Sequence, residues 1–281
     1  MDDRTATTLR IVCIALNVTD LSAARAFYER ALGFAASPGS ETRLRLGAQE
    51  IELHASSAPG RPYPEPRAAN DPWFQHFAIA VSDMGAAYAR LAGFAAQPIS
   101  HGGPQRLPAS TGGVTAYKFR DPDGHPLELS LIPHSAWTRP GAARAGPFQG
   151  VDHCGLAVRD LAASVAFYTQ VLGFTPGERL LNQGPEQDRL DGLDGVRLDI
   201  AVLKTAEPGP HIELLHYRQP ICAAAPINLR PPDIAATQLV LQVADLATTH
   251  AALAARGLWL KAEAAAILTR DPDGRWLRLI G

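Results

Sequence analysis

Residues 17–34 read NVTDLSAARAFYERALGF, and residues 157–174 read AVRDLAASVAFYTQVLGF. The two stretches share the aspartate, the leucine after it, the FY pair and the closing LGF at identical spacing. A second pair, RDPDGHPLEL at 120–129 and RDPDGRWLRL at 270–279, recurs farther along. Repetition on this scale marks an internal duplication and sets how every other motif is read. In the first copy Asp20 is an N-cap, and Leu21, Ala24, Phe27, Tyr28, Ala31 and Leu32 fall on one helical face. Gly33 stands where a helix ends in a left-handed residue.

Before this helix Ile11–Val18 alternates as a strand. After it Thr42–Leu46 and Glu50–His54 flank a short turn and read as a hairpin. The same order recurs from Phe74. FQHFAIAV (74–81) is an alternating strand, with Phe77, Ile79 and Val81 on one face and His76 on the other. Asp83 then caps a helix over 84–94, the Gly/Pro-rich stretch 101–113 reads as a loop, and Val114–Phe119, the turn Asp121–Gly124 and His125–Ile132 complete the unit. Four βαβββ units result, starting near Arg10, Phe74, Val151 and Ala236. The expected organisation is a disordered tail at 1–9, two modules in a domain at 10–135, a Pro/Gly/Ala-rich linker at 136–149, and two modules in a domain at 150–281.

The chain of 281 residues is long enough for two domains with real cores. Its formal net charge of -2 gives no electrostatic footprint for nucleic acid. No apolar run reaches the roughly 18 residues of a membrane span, and the polar opening MDDRTATTLR does not read as a signal peptide. Cys13, Cys154 and Cys222 are scattered and odd in number, which suits reduced thiols in a cytoplasmic protein. Walker, Rossmann, nucleophile-elbow and zinc-ribbon spacings do not occur. The expected partner is a small molecule, with no nucleic acid or membrane, and the chain is expected to be a monomer or homodimer.

Taken together, the V-x-D-L…FY…LGF segments and the two DPDG turns followed by L-E-L or L-R-L resemble the vicinal oxygen chelate superfamily. That superfamily includes glyoxalase I, methylmalonyl-CoA epimerase, extradiol dioxygenases and bleomycin-resistance-type binding proteins. The resemblance covers nearly the whole chain and speaks for fold more than for activity. It implies an α+β fold in which the four modules pair into two curved, mostly antiparallel, cup-shaped sheets with helices on the outer faces. It also implies metal ligands from the first and last strand of each module. The first-strand positions are Cys13, His76, His153 and Gln238, and the last-strand positions are Glu52, Glu128, Glu213 and Arg278. Strand alternation supports the same residues independently, because each stands among apolar neighbours that face the other way. Histidine and glutamate at such positions suit a divalent ion: Zn, Ni, Co, Mn or Fe(II).

Two pairings are open. If sequence neighbours pair, one cup offers Glu52, His76 and Glu128 with the thiol of Cys13. If the inner modules pair, one cup gathers His76, Glu128, His153 and Glu213. The outer modules then share Cys13, Glu52, Gln238 and Arg278, a degenerate second site, since a permanent cation is no ligand. The inner pairing is preferred, because the stretch from helix end to last-strand position is about twice as long in the second and third modules as in the first and fourth, and long loops over a sheet carry substrate contacts.

The chemistry implied by the resemblance is glyoxalase- or epimerase-like proton transfer, lyase or isomerase, with Glu128 or Glu213 as the catalytic base and acid. Gln105, Arg106, Tyr117, Gln187 and Arg189 are candidate substrate-pocket residues, on or beside the loops 101–113 and 182–195. An extradiol dioxygenase using Fe(II) is a second reading, weakened because Lys118 stands at the place of the expected tyrosine. A third reading is a metal-free binder of the resistance type, its cup lined by Trp73, Phe74, Tyr117, Trp259 and Trp276.

Overall fold

The structure is a computed structural model that describes residues 9–55, 60–133, 142, 146–222, 228–258, 260–263 and 265–281. Residues 1–8 of the expected tail at 1–9, most of the expected linker (136–141 and 143–145) and Trp259 lie outside the described residues, whereas Leu9 is buried in the core.

Each module opens with a strand that runs into a helix capped by an aspartate at the expected place. Asp20, Asp83 and Asp160 each accept from the backbone N–H three residues on, at 2.9, 3.0 and 2.9 Å. Asp245 accepts from Ala247 and Thr248. Each such cap contributes about 1 kcal/mol. The helices run Leu21–Leu32, Met84–Leu91, Leu161–Ala166 and Leu246–Ala255, the third widening into a π turn at Phe167–Val171. Gly33 takes the left-handed conformation at φ 74. The second helix stops at Leu91, short of the expected Phe94: Ala92 and Phe94 close tighter turns, Phe94 N–H donating to Leu91 O.

Two sheets follow. In the inner sheet the first strand of module two, Gln75–Val81, pairs antiparallel with the first strand of module three, Phe148–Ala157. Each of these pairs on its other side, in parallel, with the last strand of its own module, Pro126–Leu131 and His211–Gln219. Thr115–Arg120 and Gln97–Pro98 extend one edge, and Arg197–Lys204 and Thr175–Gln183 extend the other. The outer sheet repeats the plan, Arg10–Val18 pairing antiparallel with Gln238–Gln242. The modules therefore pair two with three and one with four, so each sheet takes one module from each half of the repeat.

The halves are tied back by a buried contact that explains the FY and DPDG motifs together. Tyr28 of module one donates to Asp121 Oδ2 of the module-two turn at 2.7 Å, and Tyr168 of module three donates to Asp271 Oδ2 of the module-four turn at 3.1 Å. Burial raises the pKa of both phenols well above the ordinary tyrosine range, and the aspartates push the same way, so each remains a donor. The apolar strand faces and the helices share one core cluster, which draws Leu16, Phe77, Leu156 and Leu239 from the four first strands. No helix among the described residues is long and apolar enough to cross a membrane.

The two ties differ in one respect. Asp271 Oδ2 also accepts from Arg275, whereas among the described residues Tyr28 is the donor to Asp121 Oδ2. Tyr28→Phe is expected to cost about 1–3 kcal/mol, and Tyr168→Phe less. Urea unfolding midpoints check this ordering, and equal losses would contradict it.

Candidate metal centre

Strand register decides which side chains meet in the inner cup. Glu128, Ala78, His153 and His211 lie opposite one another across three adjacent strand pairs, with Lys118 beyond Glu128. In the neighbouring row His76 faces Gly155, which faces Glu213. The small residues Ala78 and Gly155 leave room between the polar ones. A Cβ on Gly155 would stand 2.7 Å from His76 Nε2 and 2.8 Å from Nδ1, so the imidazole lies directly over the glycine backbone. Phe74 packs on its other flank with ring centroids 5.6 Å apart.

His76 Nε2 and His153 Nε2 stand 3.4 Å apart, and His76 Nε2 is 3.5 Å from Glu128 Oε2. One ligand atom from each of these three residues lies within 4.8 Å of the others. Glu213 reaches the group at His153, 3.7 Å from Nε2. Ligands about 2.1 Å from a tetrahedral ion stand about 3.4 Å apart, so the donor set and its spacing fit a divalent cation. Two imidazole nitrogens turned toward each other beside two carboxylates are otherwise an awkward group to bury.

The metal-free electrostatics resolve that awkwardness with one proton. Burial holds His76 well below the ordinary histidine range, and the positive charges of Lys118 and His153 push the same way. Burial also works against a charge on His153, but Glu213 and the hydrogen bond with Asp152 outweigh it and lift the pKa to about 9. His153 is therefore the imidazolium, and its Nε2–H donates to the neutral His76. Nδ1 of His76 has no hydrogen-bond partner among the described residues, so on that side packing holds the ring. Burial opposes the charge on Lys118 too, yet its pKa is raised by Asp191 and Glu128, with Nζ 2.6 Å from Asp191 Oδ1 and 3.9 Å from Glu128 Oε2. Ser130 Oγ donates to the second oxygen of Glu128.

The family model described as Glyoxalase/Bleomycin resistance protein/Dioxygenase superfamily matches residues 10–129 and 150–279. The chain belongs to this superfamily. Glyoxalase I from Zea mays has the same fold, with 17% identity and a TM-score of 0.63 over 98% of this chain and 92% of that one. A provisionally assigned dioxygenase from Bacillus subtilis matches with 14% identity and a TM-score of 0.57, covering 96% and 84%. A search of the curated proteins finds no match.

The superfamily positions of this chain split between its two cups. His76, Glu128, His153 and Glu213 share the inner cup, while Glu52 stands in the outer sheet among Arg43, His54 and Cys13. The set Glu52, His76 and Glu128 is therefore not brought together. In the outer cup burial, then Glu52, pushes the Cys13 thiol up to about 12. Arg43 and Arg278 face the same space as Glu52.

A cavity of about 210 Å³ opens beside the inner cluster. Of the five expected pocket residues, Gln187 lines it, and Gln105, Arg106, Tyr117 and Arg189 are not among its lining residues. Tyr117 alternates with Lys118 and packs in the core against Tyr88 and Phe119. Gln105 braces its loop, donating to His101 O and Gly103 O and accepting from Arg189. The expected loop at 182–195 contains a helix, Pro185–Asp191, with proline in its first turn and Gly192 as a left-handed end. These are ordinary helix signals, readable in the sequence. Trp73 and Trp276 pack in a separate cluster with Tyr63 and Leu229, while Phe74 joins the apolar wall near Leu198, Ile200 and Leu215. Asn182, Asp191, Ser130, Asp152 and His211 were not anticipated; strand alternation marks Ser130, two residues from Glu128, and His211, two from Glu213.

In the metal-free protein an NMR titration of the ring protons should find His153 near 9, and Glu213→Gln should lower it toward 6.5. Because the folded value lies above the ordinary one, this charge contributes stability that is complete below about pH 6.5 and is lost as pH rises through about 9. A His153 titrating at its ordinary value would contradict the ion pairing. Gly155→Ala should destabilise the protein by about 1–3 kcal/mol through overpacking against His76. An unfolding midpoint unchanged from wild type would show that the strand approach is looser than described.

Proposed function

We propose that the inner cup is a divalent-metal site that performs glyoxalase- or epimerase-like proton transfer on a small oxygenated substrate. The observation that carries this reading is the convergence of His76, His153 and Glu128 from two modules on one point, with Glu213 beside them. His76, His153 and Glu128, with Glu213 beside them, would hold a cation that would supply Lewis-acid chemistry to the substrate. Glu128 is held by Ser130 and Lys118, so it serves as a fixed carboxylate. Glu213 is the freer of the two, its side chain 19% exposed against 9% for Glu128. It takes a proton from a substrate carbon at a carboxylate oxygen, and a proton returns to the adjacent carbon in a glyoxalase-like reaction or to the opposite face of the same carbon in an epimerase-like one. Leu180, Leu190, Leu198, Ile200 and Leu215 line the cavity and keep water from the carbon acid.

A second reading has one specific support. The group His76, His153 and Glu128 is two histidines and a carboxylate, the facial set of non-haem Fe(II) oxygenases. Lys118, paired with Asp191 on the cup floor, supplies neither the acid nor the base that an added histidine and tyrosine would. Proton transfer is therefore the better-supported chemistry.

Titrating metal-free protein with Co(II) and following its visible absorption should give one ion per chain, with affinity reduced at least about tenfold in His76→Ala and His153→Ala. Glu213→Gln should retain the ion and lose about 10²–10⁴ of turnover. Solvent deuterium incorporation into α-hydroxycarbonyl thiohemiacetals and branched acyl thioesters reads the chemistry, and oxygen uptake with catechols would favour the Fe(II) reading. A protein indifferent to Ni, Zn, Co, Mn and Fe(II) would sink both.

A further inference from the structure

The wall of the inner cavity contains a polar relay that the proton-transfer chemistry does not use. Asp191 Oδ1 accepts from Lys118 Nζ at 2.6 Å, and Asp191 Oδ2 accepts from Tyr217 Oη at 3.1 Å and from Gln187 Nε2 at 2.8 Å. Asn182 Nδ2 donates to Gln187 Oε1 at 3.1 Å. The members are buried, and Asn182 is 5% exposed.

An ionised carboxylate can only accept, and that sets the polarity of the whole relay. Gln187 must turn its amide nitrogen to Asp191, which leaves its oxygen toward Asn182. Asn182 must then turn its nitrogen to Gln187, which leaves Oδ1 as the free end. The amide orientations follow from Asp191, whose two oxygens accept from Lys118, Tyr217 and Gln187. Asn182 Oδ1 has no hydrogen-bond partner among the described residues, and it is screened from water. A buried acceptor left unpaired costs about 1–3 kcal/mol. Its side chain lines the same cavity as His76, Glu128 and His153.

We propose that Asn182 is a specificity-determining contact of this cavity, its Oδ1 accepting a hydrogen bond from an O–H or N–H group on the ligand. The inference rests on the inner cavity being the ligand site, as in the proposed function, and adds a chemical class to it. The ligand has an apolar body to match the leucine-rich wall, and a donor group that meets Asn182. A ligand donor that reaches Oδ1 meets an acceptor with no hydrogen bond to give up among the described residues. Molecules of the same shape that lack a donor leave the acceptor unpaired and bind less well.

The test compares phenol with its methyl ether, anisole, on the full chain without added metal, with binding followed by NMR. Phenol should bind at least about fivefold tighter than anisole. Asn182→Leu should abolish that preference and change anisole affinity by less than about twofold. Equal affinities in wild type, a preference that survives in Asn182→Leu, or no binding of either compound would overturn the proposal. Should Asn182→Leu not fold, the wild-type preference and the Asn182 side-chain amide resonances decide, since these should shift with phenol and not with anisole. A protein that prefers phenol through Asn182 but takes up no metal would refute the metal reading and leave this one standing. Metal uptake with no phenol preference would do the reverse.

Discussion

The inner site depends on one strand pairing. Gln75–Val81 and Phe148–Ala157 run antiparallel with Ala78 opposite His153 and Gly155 opposite His76. This register puts two histidines on the same face in adjacent rows, and puts a glycine or an alanine where each ring needs space. A shift by one residue would send both imidazoles to the core face and bring Phe77 and Cys154 into the cup. Because each strand also pairs in parallel with the last strand of its own module, the same register delivers Glu128 and Glu213 to the cup. The Tyr28–Asp121 and Tyr168–Asp271 contacts act on the other axis, tying module one to module two and module three to module four. Sheets join the modules one way and buried tyrosines join them the other way.

Much of this was legible in the residues because the signals are local. The four capping aspartates, the alternation of the strands and the glycine after the first helix are interactions within a few residues, and all appear where expected. The cup-facing positions were legible because alternation says which face a residue takes, and the duplication supplied four copies to compare. Module pairing was open because it rests on contacts far apart in sequence. The fit of Gly155 beneath the His76 ring is a close approach of two strands that no spacing rule reports. The pocket residues fared differently for a related reason. Gln105, Arg106 and Arg189 are polar and sit near the right loops, but polar side chains in loops are as free to brace the loop as to face a ligand, and Gln105 with Arg189 does so. Tyr117 and Lys118 are adjacent, so only one of them can face the cup, and it is the lysine, whose charge Asp191 makes tolerable there.

The two cups show what a shared scaffold leaves free. The outer cup keeps the pairing geometry, with Ala15 opposite both Gln238 and Glu52 and Val240 opposite Arg278. Its polar residues neutralise one another. The hydrogen bond from His54 lowers the pKa of Glu52 despite partial burial, and Arg43 and Arg278 act in the same direction. A glutamate satisfied by arginines, beside a thiol that burial keeps protonated, has no call for a metal ion. The inner cup instead holds two carboxylates against one imidazolium, with the lysine already committed to Asp191. The same strand positions thus produce a balanced cluster in one sheet and an anionic, nitrogen-bearing one in the other.

Charge also explains why a lysine can stand in the floor of the inner cup. Without Asp191, the ammonium of Lys118 would face Glu128 alone. With Asp191 at 2.6 Å the lysine is held as half of an ion pair, and the second oxygen of that aspartate is saturated by Tyr217 and Gln187. The pair is close to neutral as seen from the two histidines. The aspartate that pairs with the lysine is also the group that fixes the amide of Gln187, and through it the amide of Asn182. One buried ion pair therefore sets both the charge of the cup floor and the hydrogen-bonding sense of the cavity wall.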